Sequence, residues 1–199
     1  MLHLTQQEYD DLQHNTATPI TNMRKQSAAH SHRLGQSFEH LIENGCKWYE
    51  RHGEAMINKC PEPFIVTSRT RDGRFIGRFT NKKAQPDFQG TIKDGRAFVA
   101  EAKATDTDRL QHSRVTQTQA ELLDKHAEMG AYCCILGMIQ TQIFVIPWEV
   151  WKNMKSIYGR KYVTSSDLLQ YRLPDKDRRN SCPFLYYYQL TVSEQTSSA

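Results

Sequence analysis

The chain has 199 residues, of which 38% are hydrophobic and 24% charged, and a formal net charge of +4. That is enough for one domain with a real core, and too apolar for a disordered chain. No apolar run approaches the length of a membrane span, and the mild positive charge permits nucleic-acid contact without requiring it.

Taken in order, residues 4–13 read as a short helix, with Thr5 as cap and Glu8 three residues later. Residues 14–31 are rich in Asn, Thr, Ser and His, and Pro19 interrupts them. Residues 1–31 are therefore read as a flexible arm, in which Arg24 and Lys25 are either phosphate contacts or part of a solvated tail. His30 and His32 are either exposed or a weak metal pair. A strong helix is expected over 32–52, where Leu34, Phe38, Leu41, Ile42, Gly45 and Trp48 or Tyr49 follow three-four spacing. Glu39 sits at the edge of that face; it either reaches a site on the sheet below or is simply an exposed glutamate favourable to the helix dipole. Gly53 is a plausible stop, and a short strand follows at 55–59.

From Val66 to Lys83 the composition changes. Arg69, Arg71, Arg74, Arg78, Lys82 and Lys83 face a single acid, Asp72, so this segment alone carries more net positive charge than the whole chain. Asp72-Gly73 marks a hairpin tip, and Arg74, Ile76 and Arg78 alternate with Phe75, Gly77 and Phe79. The reading is a protruding basic two-stranded stalk, inserted at about 60–84. It either contacts DNA or is a solvated hairpin whose cations guard its edges.

Next comes Pro86-Asp87, a turn at Lys93-Asp94-Gly95-Arg96, and a strand from Arg96 to Lys103. Alternation puts Glu101 and Lys103 on one side of that strand and Phe98, Ala100 and Ala102 on the other. The hairpin can bring Asp87 back beside Glu101, so that two carboxylates and an ammonium converge. Two hard oxygen ligands suit Mg²⁺, with Mn²⁺ the alternative ion, and a lysine beside them suits hydrolysis of a phosphodiester. The plainer reading is a surface hairpin with a Glu-Lys pair. The apolar run Phe98-Val99-Ala100 favours a buried strand end, where a carboxylate must be paired or bind a metal.

Residues 104–115 read as a polar loop with Arg109, His112 and Arg114. A helix is expected over 116–129, capped by Thr116 and stopped by Gly130, with Gln119 in its first turn either facing the site or exposed. Residues 131–139 suit a central strand and Ile143 to Ile146 the next. Pro147 begins a helix through Tyr158 that carries Trp148 and Trp151, as core or dimer contacts. Residues 159–183 are polar, with Arg178 and Arg179 as a phosphate contact or a solvated loop, and Phe184 to Val192 could form an edge strand. The nuclease core is thus expected over 32–158 and a C-terminal extension over 159–199. Five cysteines, odd in number and without Cys-x-x-Cys spacing, point to reduced thiols in a cytosolic protein, with Cys133 and Cys134 in the core. There is no Walker loop, dinucleotide fingerprint or His-Glu-x-x-His.

The order of elements, with Pro86-Asp87 and Glu101-Ala102-Lys103, resembles the restriction-endonuclease-like α/β (α+β) fold with its PD-(D/E)xK signature: a central mixed β-sheet flanked by helices. More narrowly, the chain resembles the RecU-type Holliday-junction resolvases, including phage members. Arg33-Leu34-Gly35-Gln36-Ser37-Phe38-Glu39 resembles their basic Gly-x-x-Phe-Glu motif, and residues 58–85 match the position of their stalk. Asp87-Phe88-Gln89-Gly90 resembles Asp-Tyr-x-Gly, Phe98 to Lys103 the Phe-Glu-Ala-Lys strand, and Thr116 to Gln119 the His-x-x-Gln helix opening. The likeness runs over about residues 30–155. It implies Asp87, Glu101, Lys103 and Glu39 as catalytic residues, with Asp87, Glu101 and Gln119 around the metal. Arg33 and the stalk residues Arg69, Arg71, Arg74, Arg78, Lys82 and Lys83 would contact DNA. It implies a cytoplasmic homodimer, in a bacterium or a phage-infected host, that cuts four-way DNA junctions with Mg²⁺. Where the family usually has a threonine two residues before the aspartate, this chain has Gln85, which still offers a carbonyl oxygen. Another PD-(D/E)xK nuclease and an inactive junction-binding scaffold are the alternatives.

Overall fold

The computed structural model describes residues 19–61, 64–79, 85–174 and 182–185, the first ten of these as backbone only. The first helix, α1 (Pro19–Arg51), is followed by β1 (Ala55–Lys59), β2 (Phe64–Arg69), β3 (Phe75–Phe79), β4 (Phe88–Ile92) and β5 (Ala97–Thr105). Then come β6 (Arg109–Gln111), a single 3₁₀ turn (His112–Arg114), α2 (Gln117–Glu128), β7 (Tyr132–Ile139) and β8 (Gln142–Pro147). Two short helices, α3 (Trp148–Lys152) and α4 (Met154–Tyr158), precede β9 (Tyr162–Thr164) and a 3₁₀ turn (Leu169–Tyr171).

Five strands form one sheet in the order β1-β4-β5-β7-β8. Among the described residues β5 and β7 are the pair that runs parallel, joined by the α2 crossover; the other neighbours are antiparallel. The mixed, helix-flanked sheet expected from the sequence is present. Strand alternation divides its side chains between two cores. Phe98 and Ala100 pack with Phe38, Ile42 and Tyr49 of α1, together with Phe88, Leu136 and Phe184. Val99, on the opposite face, packs with Ile135, Leu123 of α2, Trp148 and Trp151. Tyr49 is the buried member of the Trp48–Tyr49 pair; Trp48 is exposed and stacks on His52 at 4.0 Å.

Two glycines fix the β4–β5 hairpin and its place beside β1. Gly95 turns the chain at φ +87°, a conformation side chains rarely adopt. Gly90 lies under β1, where a Cβ would stand 1.9 Å from the Met56 carbonyl oxygen. The glycine of the Asp-Phe-Gln-Gly run is thus a close-approach residue that lets β1 pair with β4.

Four sequence expectations need correction. The helix begins at Pro19 rather than 32, because proline is tolerated in a first turn and Met23 to Ala29 holds strong helix formers. The helix expected over 147–158 is two helices, broken at Asn153, whose side chain donates to the Glu149 carbonyl at 2.9 Å. The polar stretches at 104–115 and 159–183 contain β6 and β9, which pair with each other across the intervening sequence. Leu168, Leu173, Phe184 and Leu185, which fall in the polar stretch and edge strand expected beyond residue 158, are buried in the core. Of the expected edge strand at 184–192, the structure describes Phe184 and Leu185, in a turn. The expected helix at 4–13 and Arg178 and Arg179 lie outside the described residues. None of the five cysteines is joined in a disulfide, and Cys133 and Cys134 are buried. Among the described residues no helix is long and apolar enough to cross a membrane.

Gly90→Ala is expected to lower the unfolding free energy by about 3 kcal/mol, since the methyl meets backbone rather than a movable side chain. The urea midpoint should fall with an unchanged slope; a midpoint within error of wild type would show that β1 can shift freely.

Candidate active site

The register of the β4–β5 hairpin pairs Phe88 with Ala100, so Asp87 and Glu101 face each other one step further on. Asp87 is held on both sides. Its carbonyl accepts from the Cys60 N–H at 2.9 Å, prolonging the β1 contact. Its Oδ2 accepts from the Ala102 N–H at 2.8 Å. Glu101 follows Val99 on its face of β5 and is fully buried. Its Oε2 accepts from Lys103 Nζ at 2.7 Å and from Gln119 Nε2 at 2.5 Å. Lys103 Nζ also lies 3.6 Å from Asp87 Oδ2. The two carboxylates, the lysine and the glutamine expected at the site therefore meet at one place.

Gln119 arrives through a capping box at the start of α2. The Thr116 hydroxyl accepts from the Gln119 N–H at 3.3 Å, and Gln119 Oε1 accepts from the Thr116 N–H at 3.0 Å. The amide oxygen closes the helix end and the amide nitrogen remains for Glu101.

The electrostatics are set by burial. Loss of solvent raises the Glu101 carboxyl to about 7; the Lys103 ammonium opposes this and the Asp87 charge adds to it. Burial, with Asp87 and Glu101 nearby, also raises the Cys60 thiol, which keeps it in the thiol form at neutral pH.

Glu101 Oε1 is buried without a hydrogen-bond partner in the structure. A buried acceptor left unsatisfied is costly, and a hard cation is one partner that would satisfy it. Among the described residues no cluster of three or more His, Cys, Asp or Glu is placed to hold a metal. One or two carboxylates are nonetheless the usual protein share of a Mg²⁺ site, the remainder being water and substrate oxygens. Asp87 and Glu101 fit that donor set.

Glu39 is brought to the neighbouring cleft rather than to the carboxylate pair. Lys59 at the end of β1 holds it at 2.7 Å. The cleft, about 670 Å³, lies between α1 and the end of β5, and Glu39, Lys59, Lys103 and Arg114 line it. Sequence reading gave Lys59 no mention and Arg114 only a place in a polar loop. The one signal for them was a basic residue just before a cysteine and another just before the α2 cap, and neither has a recognisable spacing. Arg33 is exposed on α1.

The hairpin expected at the stalk forms a two-stranded sheet of its own, β2 with β3, and all six residues of β2 are exposed. Arg69, Arg71, Arg74 and Arg78 are exposed on it. Arg69 lies over the Phe75 ring at 5.2 Å, and Arg74 pairs with Asp72 at 3.1 Å. Lys82 and Lys83 lie outside the described residues.

The family model described as "Recombination protein U" matches residues 33–189, further toward the C-terminus than the run of motifs that carries the resemblance. No curated protein matches the chain. Among solved structures, a Holliday junction resolvase, Hjc, from Archaeoglobus fulgidus is similar at 11% identity with a TM-score of 0.37, over 64% of this chain and 93% of that one.

The Glu101 carboxyl keeps its proton up to about pH 7 in the fold, against 4.5 for an ordinary glutamate. Between those values the native state holds more protons than the unfolded chain. Its contribution to stability is therefore complete below about 4.5 and is lost as pH rises through about 7. Metal-free protein should show a falling thermal midpoint from pH 5 to pH 8, and Glu101→Gln should flatten that fall. A wild-type midpoint that climbs across this window would contradict a buried, protonated Glu101.

Proposed function

The chain belongs to the recombination protein U family, and on that footing we propose that it is a Holliday-junction resolvase. It is read as a Mg²⁺-dependent endodeoxyribonuclease that acts as a homodimer and nicks four-way DNA junctions in symmetric pairs. The observation that carries this reading is the meeting of Asp87, Glu101 and Lys103 at a sheet end, with one Glu101 oxygen buried and unpartnered. Family membership supports it, and so does the separate hairpin bearing exposed arginines.

Asp87 and Glu101 would hold the ion. When bound, a divalent cation supplies acidity to a water and positive charge to the phosphodiester. The chain's own residues do the rest. Gln119 fixes the rotamer of Glu101 through its amide hydrogen bond. The Ala102 N–H fixes that of Asp87. Lys103, an ammonium between two carboxylates, orients the attacking water and offsets negative charge as one phosphorus–oxygen bond forms and another breaks. Glu39 supports the site from α1, across the cleft.

A dimer follows from the substrate. Symmetric resolution takes two nicks, and a two-fold axis presents two such sites. Binding rests on phosphates and junction shape, with the β2–β3 hairpin as the stalk that enters the junction, so affinity should weaken steeply with salt.

A synthetic four-way junction with Mg²⁺ should yield paired, symmetry-related nicks. Asp87→Asn should cut the rate by roughly 10²–10³-fold, the scale for removing one charge-stabilising group. Deleting residues 68–80 should weaken junction binding and leave the thermal transition in place. Equal cutting of linear duplex and junction would favour another PD-(D/E)xK nuclease. Tight binding without Mg²⁺-dependent nicking would favour an inactive scaffold.

A further inference from the structure

Helix α1 carries a glycine that its own packing does not require. Gly35 lies in mid-helix, where glycine is the poorest helix former after proline. A Cβ built on it meets nothing within 4 Å, in contrast to Gly90, whose space β1 takes. One turn away on either side, Ser31 and Glu39 share its helix face, and all three line the cleft beside Lys103. The absent side chain leaves the helix backbone open at the cleft wall.

Lys59, Lys103 and Arg114 line the rest of the cleft. Lys59 is paired with Glu39 and Glu43, and Lys103 with Glu101 and Asp87, so Arg114 is the cation there that, among the described residues, no carboxylate neutralises and a phosphate could engage. Arg114 donates to the Ala104 carbonyl at 3.2 Å, a neutral partner that fixes the guanidinium without cancelling its charge. Along α1 the cleft is tied at both ends. His30 Nε2 lies 3.3 Å from Asp106 Oδ2, and Glu39 lies 2.7 Å from Lys59. From His30 to Glu39 is about 13 Å of helix rise, roughly the axial rise of four nucleotides.

We propose that this cleft is the track of the DNA strand being cut, which passes in contact with α1 at Gly35 and sets a phosphate on Arg114. This rests on the resolvase reading and adds to it the path of the strand. Glycine lets a foreign backbone approach closely, whereas any side chain at position 35 would occupy the space the strand needs. The two explanations of the glycine differ in sign. If it serves the helix's own packing, enlarging it destabilises the protein. If it serves the strand, enlarging it stabilises the helix and impairs the reaction.

The test uses the full chain as wild type, Gly35→Ala, Gly35→Leu and Arg114→Ala. Each is assayed on a synthetic four-way junction for binding across a salt series, for single-turnover nicking with Mg²⁺, and for its thermal midpoint. Alanine and leucine are better helix formers, so both Gly35 variants should match or exceed the wild-type midpoint. Gly35→Leu should nick on the order of 10²-fold more slowly, the scale of a ~1 Å misplacement of substrate, and Gly35→Ala less so. Arg114→Ala should lower the slope of log affinity against log salt by about one. Wild-type nicking with an unimpaired Gly35→Leu overturns the strand path alone. A Gly35→Leu loss that tracks a falling midpoint overturns it too, by making the glycine a packing residue. A wild type that neither binds nor nicks the junction removes the resolvase reading and this path with it.

Discussion

Glu101 has no exposed surface, yet it lies beside a second carboxylate and leaves one oxygen without a donor. Such a group would ordinarily be displaced toward water or replaced by an apolar residue. Here the rest of the sheet end holds it in place. β5 is paired on both sides, antiparallel to β4 and parallel to β7, so its backbone cannot swing outward. Asp87 is pinned by two backbone N–H donors, from Cys60 just beyond β1 and from Ala102 of β5. Lys103 and Gln119 are the two side chains that compensate the buried oxygen. Replacing either alone leaves charge or an acceptor uncompensated at low dielectric, so the four residues form one unit whose single deletions will not add.

The fold divides rigid support from reach. The carboxylates sit on sheet strands backed by two cores, where a displacement of a few tenths of an ångström disturbs packing on both faces. The arginines lie on a hairpin whose two strands, among the described residues, pair only with each other, and which exposes Phe64, Val66, Phe75 and Ile76. A two-stranded ribbon with exposed apolar side chains has little reason to hold one orientation until something covers it. Precision and adaptability thus occupy separate parts of one short chain.

What could be read in the sequence followed the range of the interaction. The β4–β5 hairpin and its acids were legible because an Asp-Gly turn and period-two alternation act over a few residues. The α2 cap was legible because threonine is a preferred cap residue just before a helical run, whereas the return bond from Gln119 that completes the capping box was not read. β1 was placed at its observed bounds, yet its pairing with β4 was not foreseen, although that pairing explains Gly90 and positions Asp87. The β6–β9 pair and the break at Asn153 were missed for related reasons. The first joins segments some fifty residues apart, and the second turns on one side-chain-to-backbone bond. The helix face left Glu39 open between the site and solvent, and the family resemblance is what points it to the site; its partner Lys59 comes from a strand and has no local signature.

Capping preferences treat glutamine and glutamate at the third helical position as near equivalents, since either carboxyl or amide oxygen can accept from the cap. At Gln119 that equivalence fails. Its oxygen is committed to Thr116 and its nitrogen to Glu101, so only a group that is acceptor at one end and donor at the other serves both neighbours. A glutamate there would seal the helix equally well and offer the buried Glu101 oxygen an acceptor in place of the donor it now has. The identity of this residue is therefore dictated by the chemistry it faces and not by the helix it begins.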